Sequence, residues 1–362
     1  MAKLKILEFY SGIGGMHYAA AAADWDYEIL KAFDINTVSN EIYAHNFGKR
    51  AIGQNLIETL STEYYDRLAA DVWTMSPPCQ PYTRIGLRQG SKDPRAKSFL
   101  HLLDVLEAMK NRPRYIVVEN VKGFEESTSR DMLVEQLDKC GYSFQEFLLT
   151  PLQLGIPNSR MRYYLLAKLK PLVFAQDPSG TIINYIPLSS RMGREFVDDR
   201  KTATSSELEL VNESGAPVET ISNYLESVIE TDIYAVPDKA SLECTSLASS
   251  FSFLFRMAMS LTSSSQKVGG VAVSPRMNTE ANTASLFEQA LQLKAQGETD
   301  KMLDLLHTLQ LRYFTPREVA NLMGFPQTFN FPESSSQKQR YRTLGNSINV
   351  QVVAELMRYL IK

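Results

Sequence analysis

Across the first 170 residues, short apolar strand-like runs alternate with helix-like stretches. "KLKILEFY", "YEILKAFDIN", "ADVWTMSPP", "RYIVVENV", "SFQEFLLT" and "RMRYYLLAKL" read as strands. "GGMHYAAAAA", "TVSNEIYAHNF", "SFLHLLDVLEAMKN" and "SRDMLVEQLDKCGY" read as helices, with Thr37 as the cap of the second and Gly141 closing the fourth. Such alternation demands a mostly parallel sheet covered on both faces, a doubly wound α/β fold of Rossmann type. In these sheets ligands sit beyond the carboxyl ends of the strands. The glycine turn at residues 12–15, Asp34, Cys79 and Glu119 each follow a strand end, and that shared address is the first argument about function.

Composition narrows the class. Apolar residues make up 44% and charged residues 22% of 362, ordinary for a globular protein, and the net charge of −3 excludes a global basic field. Any nucleic-acid surface must therefore be a local patch. Three cysteines (Cys79, Cys140, Cys244) form no pairing pattern, which points to reduced thiols and an intracellular setting; the expected location is cytoplasmic, with the nucleus as a second. The amino-terminal apolar run is too short for a signal peptide, and no stretch reaches the roughly 18 apolar residues of a membrane span. No metal-ligating cluster is read. The alternation fails after residue 170. An α/β domain is expected at 1–170. A smaller, irregular domain follows at 171–310, with a polar insertion near 175–220. A return segment at 311–362 then ends in an amphipathic helix; "SLFEQALQLKAQGETDKMLDLLHTLQLRYF" reads as helix and "TPREVANLMGF" as a short capped one.

The candidate residues each carry a plain reading beside the chemical one. Gly12, Gly14 and Gly15 permit a tight turn and close backbone approach, but G-x-G-x-x-G is absent and the turn could be structural. Asp34, roughly 20 residues on, stands where an acid binds ribose hydroxyls, or else caps a helix. Cys79 could be a small buried hydrophobe. Its place after Pro77 and Pro78, in a loop with a basic stretch behind it, instead suits a nucleophile. Glu119 closes an apolar strand, where a carboxyl is costly unless used or paired. Arg160 and Arg162, at alternate positions, point to one side of a strand. Cys140 and Cys244 read as filler.

"FYSGIGG", "SPPCQP", "VENVKGF", "QLGIPNSRMRYY" and "RYRTLGNSINV", in this order, resemble the cytosine-C5 methyltransferases. With no regulatory extension, the chain is most similar to the small tRNA-modifying branch, which methylates cytosine 38 in the anticodon loop of aspartate tRNA. The resemblance implies a class I methyltransferase fold and S-adenosylmethionine as cofactor, with 1–170 as the catalytic domain and 171–310 as a smaller, irregular target-recognition domain. It makes Cys79 the thiolate that adds to C6, Glu119 the acid at N3, Asn120 an aid in placing the base, and Arg160 and Arg162 holders of the base and the Cys loop. It assigns Phe9, Gly12, Ile13, Gly14, Gly15, Asp34, Ile57, Glu58, Ser76, Asn346 and Ser347 to the cofactor, and the basic stretch 84–97 to the substrate. The expected partner is tRNA, with DNA as the alternative, bound by a monomer. The chain departs from the branch at 238–285, where a Cys-Phe-Thr signature and a glycine- and tyrosine-rich loop are replaced by serine-rich sequence. Divergence, an alternative splice form or a frame change would each explain this, and a weakly active cofactor- and nucleic-acid-binding protein is the reading it motivates.

Overall fold

The computed structural model describes residues 3–53, 56–78, 97–176, 182–196, 218–227, 234, 271–273, 286, 289–290, 292–308 and 311–362. Cys79, Cys244, the basic stretch from 84 to 96 and most of 238–285 lie outside them. In order come β1 (Leu4–Phe9), α1 (Gly15–Ala22), β2 (Tyr27–Phe33), α2 (Thr37–Phe47), β3 (Ile52–Gly53), α3 (Thr62–Leu68) and β4 (Val72–Met75). Then follow α4 (Lys97–Ala108), β5 (Tyr115–Val121), α5 (Thr128–Lys139), β6 (Tyr142–Leu149) and β7 (Arg162–Leu169). The later part contains β8 (Val271–Val273), α6 (Thr299–Thr308), β9 (Leu311–Tyr313), α7 (Pro316–Leu322), α8 (Gln337–Gly345) and α9 (Val350–Leu360).

β1 to β7 form one sheet in the order β3-β2-β1-β4-β5-β7-β6. Only β7 runs against its neighbours. The doubly wound, mostly parallel α/β fold expected from the alternation is what the chain adopts. The strands are apolar on both sides because helices cover both faces. Ile6, Val72 and Val117 face α1 and α9. Leu7, Trp73 and Val118, one residue along each strand, face α3, α4 and α5. Strand order reverses beside β1, so the crevice for a ligand opens at the carboxyl ends of β1 and β4.

Two local expectations are corrected. The cap of α2 is Asn36, whose Oδ1 accepts from the amides of Val38 and Ser39; Thr37 is the first helical residue. "LRY", read as the end of a helix, is β9, paired with β8. The helical period of the leucines before it runs on into a segment whose backbone partner is distant in sequence.

The return segment is fixed by a buried ion pair. Arg312 is bidentate to Glu318, with both contacts at 2.7 Å and both side chains sealed from solvent. Glu318 also closes the capping box of α7, accepting from the Thr315 amide at 2.8 Å, and accepts from the Glu226 amide at 3.0 Å. Removing one partner strands the other's charge. Arg312→Met should therefore lower unfolding free energy by about 3–5 kcal/mol, and the double change Arg312→Met with Glu318→Met should recover much of that loss. Urea unfolding of the two variants checks this.

Candidate active site

The glycine turn is built by local backbone need. β1 ends at Phe9, and the chain must reverse at once to start α1. Gly12 and Gly14 take positive φ, +54° and +87°, the region glycine tolerates. Gly15 is required by a neighbour: a Cβ there would meet Ile348 Cγ1 at 2.6 Å and Ser347 Oγ at 3.0 Å. The segment between α8 and α9 thus completes a site begun at the end of β1. Asn346 is exposed at the end of α8, and half-buried Ser347 follows it.

Asp34 follows β2 and ties the turn down. Its Oδ2 accepts from the Gly12 amide and its Oδ1 from the Asn36 amide, both at 2.8 Å. Burial pushes its carboxyl up, against the lowering pull of the backbone amides. Each oxygen keeps a second lone pair, so the carboxylate can brace the turn and still accept from a ligand hydroxyl.

Three residues assigned to the cofactor have buried side chains. The Phe9 ring is fully buried, stacked on Phe33 at 5.4 Å. Ile13 and Ile57 are core as well, so only their backbones can border the turn. Glu58 is half-buried on the short turn at Ile57–Thr59. The exposed apolar surface falls one residue away, on Ile35 (68% exposed) beside Asp34 and on Leu56 (50%). Sequence reading missed both, although an apolar residue after a strand-ending acid was a visible signal. The residues fit a nucleoside-bearing cofactor: a hydroxyl acceptor, exposed apolar faces for a flat base, and room over Gly12, where a Cβ would meet only the Tyr10 carbonyl, at 4.0 Å.

At the ends of β4 and β5 lies the second half of the site. Met75 pairs with Phe9 on one side and Val118 on the other, which sets Ser76 beside Glu119. The Ser76 side chain hydrogen-bonds Glu119, and the Asn120 amide nitrogen donates to the Pro77 carbonyl at 3.3 Å. Asn120, expected to place the base, is buried with both ends engaged, its Oδ1 accepting from the Val121 amide. What it holds is the proline segment. Cys79 lies just beyond the described residues; the chain that delivers it is fastened to the strand that carries Glu119.

Glu119 is 8% exposed, and burial raises its pKa, opposed by the positive charges of Arg162 and Arg160 and by the Ser76 bond. Arg162 Nε stands 3.7 Å from Glu119 Oε1. The two arginines do not share a strand face. β7 begins at Arg162; Arg160 precedes it, and its guanidinium donates to the carbonyls of Gly345 (3.0 Å) and Ser347 (2.7 Å). The alternate-position argument fails because regular pairing starts too late. Asn158 works alongside Arg160, its Nδ2 donating to the Leu322 carbonyl at 3.0 Å.

The segment leading to Cys79, a buried acid and a glycine turn meet at one sheet edge, and the comparisons bear on what that edge is for. The family model described as C-5 cytosine-specific DNA methylase matches residues 4–362. The chain belongs to that family. Among the family's members, the tRNA (cytosine(38)-C(5))-methyltransferase of Bos taurus is 37% identical, covering 99% of this chain and 100% of its own length. The protein of the same description from Schizosaccharomyces pombe is 38% identical, covering 99% and 97%. Among solved structures, a mutant of Spodoptera frugiperda DNMT2 superposes with a TM-score of 0.78 at 34% identity, covering 99% of this chain and 100% of its own. The S. pombe Dnmt2 methyltransferase gives 0.71 at 34% identity, covering 99% and 98%. The frame that superposes on these structures is the seven-stranded sheet with its covering helices. No described helix is long and apolar enough to cross a membrane.

Proposed function

We propose that this chain transfers a methyl group to C5 of cytosine in tRNA, at position 38 of the anticodon loop of aspartate tRNA, through a transient bond from Cys79. The observation that carries the reading is the fastening of the Cys79 segment to Glu119 and Asn120 through Ser76 and Pro77. The printed names of the full-length relatives support the choice of tRNA.

The cofactor reading is S-adenosylmethionine on the glycine turn, with Asp34 at the ribose, Ile35 and Leu56 against the base, and Ser76, Asn346 and Ser347 toward the methionine end. When bound, it supplies an electrophilic methyl group. The chain's residues make C5 able to accept it. Cytosine C5 is a weak nucleophile; addition of the Cys79 thiolate at C6 turns the ring into an enamine. Glu119, whose burial favours the protonated form, donates to N3 and absorbs the charge that sulfur addition puts on the ring. Arg162 balances the carboxylate that results. Loss of the C5 proton and departure of the Cys79 sulfur restore the aromatic product. The base must leave its stack, which costs less in an open loop than in a duplex, and the basic stretch 84–97 suits phosphate contacts.

A relative from Dictyostelium discoideum, 36% identical over 100% of this chain, is described as a DNA (cytosine-5)-methyltransferase, which makes DNA the second substrate to test. Methyl transfer to tRNA and to duplex DNA at matched concentration, with the tRNA product mapped by bisulfite sequencing, decides between them. Label confined to one anticodon-loop cytosine is the expected outcome. Preferential labelling of DNA overturns the tRNA assignment, and binding without turnover on either would leave a nucleic-acid-binding protein.

A further inference from the structure

Behind the glycine turn runs a buried polar chain that methyl transfer does not use. Glu8, one residue before the end of β1, is fully buried, and its Oε2 lies in hydrogen-bond contact with the Tyr43 hydroxyl at 3.0 Å. The same hydroxyl lies 2.8 Å from Nδ1 of His17. The His17 ring stacks on Phe47 with centroids 3.7 Å apart and planes 12° apart, and the Tyr27 hydroxyl donates to the His17 carbonyl at 3.3 Å. β1, α1, β2 and α2 are joined through these groups. They reach the cofactor turn directly: a Cβ on Gly14 would stand 2.4 Å from Phe47 Cε2 and 3.2 Å from Tyr43 Cδ2.

We propose that Glu8, Tyr43 and His17 form a positioning device for the cofactor turn, fixing how closely α2 stands behind Gly14. The inference rests on the reading of that turn as the S-adenosylmethionine site. Burial raises the Glu8 carboxyl to about 8, helped by the Asp34 charge and opposed by Tyr43 and the His17 backbone. Burial lowers His17 to about 4 and lifts Tyr43 well above its ordinary value, so both are neutral near pH 7. With Glu8 protonated, its O–H donates to the Tyr43 oxygen, Tyr43 donates to Nδ1, and the His17 proton sits on Nε2. Loss of one proton from Nε2 reverses both bonds. Nδ1 takes the Tyr43 proton, Tyr43 takes the Glu8 proton, and the negative charge arrives on Glu8. Half-buried His17 is thus the route by which a sealed carboxyl exchanges protons. The described groups that act on Glu8 are Tyr43 from α2, His17 from α1 and Asp34 beyond β2, with Tyr27 of β2 in the same field, and none is a cation. An ionised Glu8 is therefore a buried anion without a counter-charge. α2 must give way to hydrate it, and the turn loosens.

The test is calorimetric binding of S-adenosylhomocysteine to the full chain from pH 6.5 to 9.5, for the wild type, Glu8→Gln and Tyr43→Phe, with circular dichroism to verify folding. The α-amino group of the probe titrates alike in all three, so differences between profiles isolate Glu8. Wild-type affinity should fall between pH 7 and 9 by about tenfold more than that of Glu8→Gln, as one linked proton requires. Tyr43→Phe removes a bond that favours the ionised acid, so its fall should move to higher pH and its affinity at pH 7 should be several-fold weaker, roughly what a net hydrogen bond contributes. Superimposable profiles for the wild type and Glu8→Gln overturn the proposal. Should Glu8→Gln not fold, a Tyr43→Phe profile identical to the wild type's does the same. A folded wild type that binds no S-adenosylhomocysteine at any pH overturns the cofactor reading itself.

Discussion

Cys79→Ala should abolish methyl transfer while leaving cofactor binding intact. Loss of a covalent nucleophile costs on the order of 10⁶ in rate in well-studied hydrolases. A drop of at least about 10⁴ is expected, since C5 stays unreactive until a nucleophile has added at C6. tRNA carrying 5-fluorocytosine gives the direct readout. Fluorine at C5 cannot leave as a cation, so the wild type should be trapped as an adduct that survives denaturing electrophoresis. The alanine variant should form none, yet still bind S-adenosylhomocysteine. Turnover by Cys79→Ala at a rate near the wild type's would remove the covalent step from the account.

Glu119→Gln should cost about 10²–10⁴ in methyl-transfer rate, the range for loss of a positioned acid. The amide still hydrogen-bonds N3 but cannot transfer a proton. The pH profile discriminates further. The folded pKa of Glu119 is raised, chiefly by burial, so the acid stays protonated to higher pH than an exposed glutamate and loses its proton on the alkaline side. Wild-type rate at saturating cofactor should fall as pH rises through that value. Glu119→Gln should lack this limb. Measuring kcat at saturating cofactor separates it from any fall in cofactor affinity, which is assigned to Glu8. A variant that keeps the alkaline limb would show that another group is the acid.

The frame and the address of the site were legible because both depend on local pattern. Apolar runs leading to Gly12, Asp34, Cys79 and Glu119 declare strands that share one edge, and the sheet brings Gly12, Asp34 and Glu119 to that edge. Roles that depend on the far partner of a side chain were not legible. Arg160 looks in sequence like a strand residue facing the base, but it binds carbonyls of the segment at 345–347. Asn120 looks like a substrate contact and instead grips Pro77. Phe9 and Ile57 sit in stretches that border the cofactor, yet their side chains are committed to the core, and the exposed faces belong to Ile35 and Leu56. Glu8 was read as part of an apolar strand, and only the fold shows that a tyrosine and a histidine from two helices converge on it.

The contact of Gly15 with Ser347 and Ile348 has a consequence for synthesis. A ribosome emits the first of these residues long before the other two. Until residues 345–348 leave the exit tunnel, the nascent polypeptide holds an open half-cradle, and Arg160 has no carbonyls to grip. Premature termination upstream of α8 would therefore yield a chain whose ligand cleft lacks a wall and whose sheet lacks α9, the helix that covers part of one face.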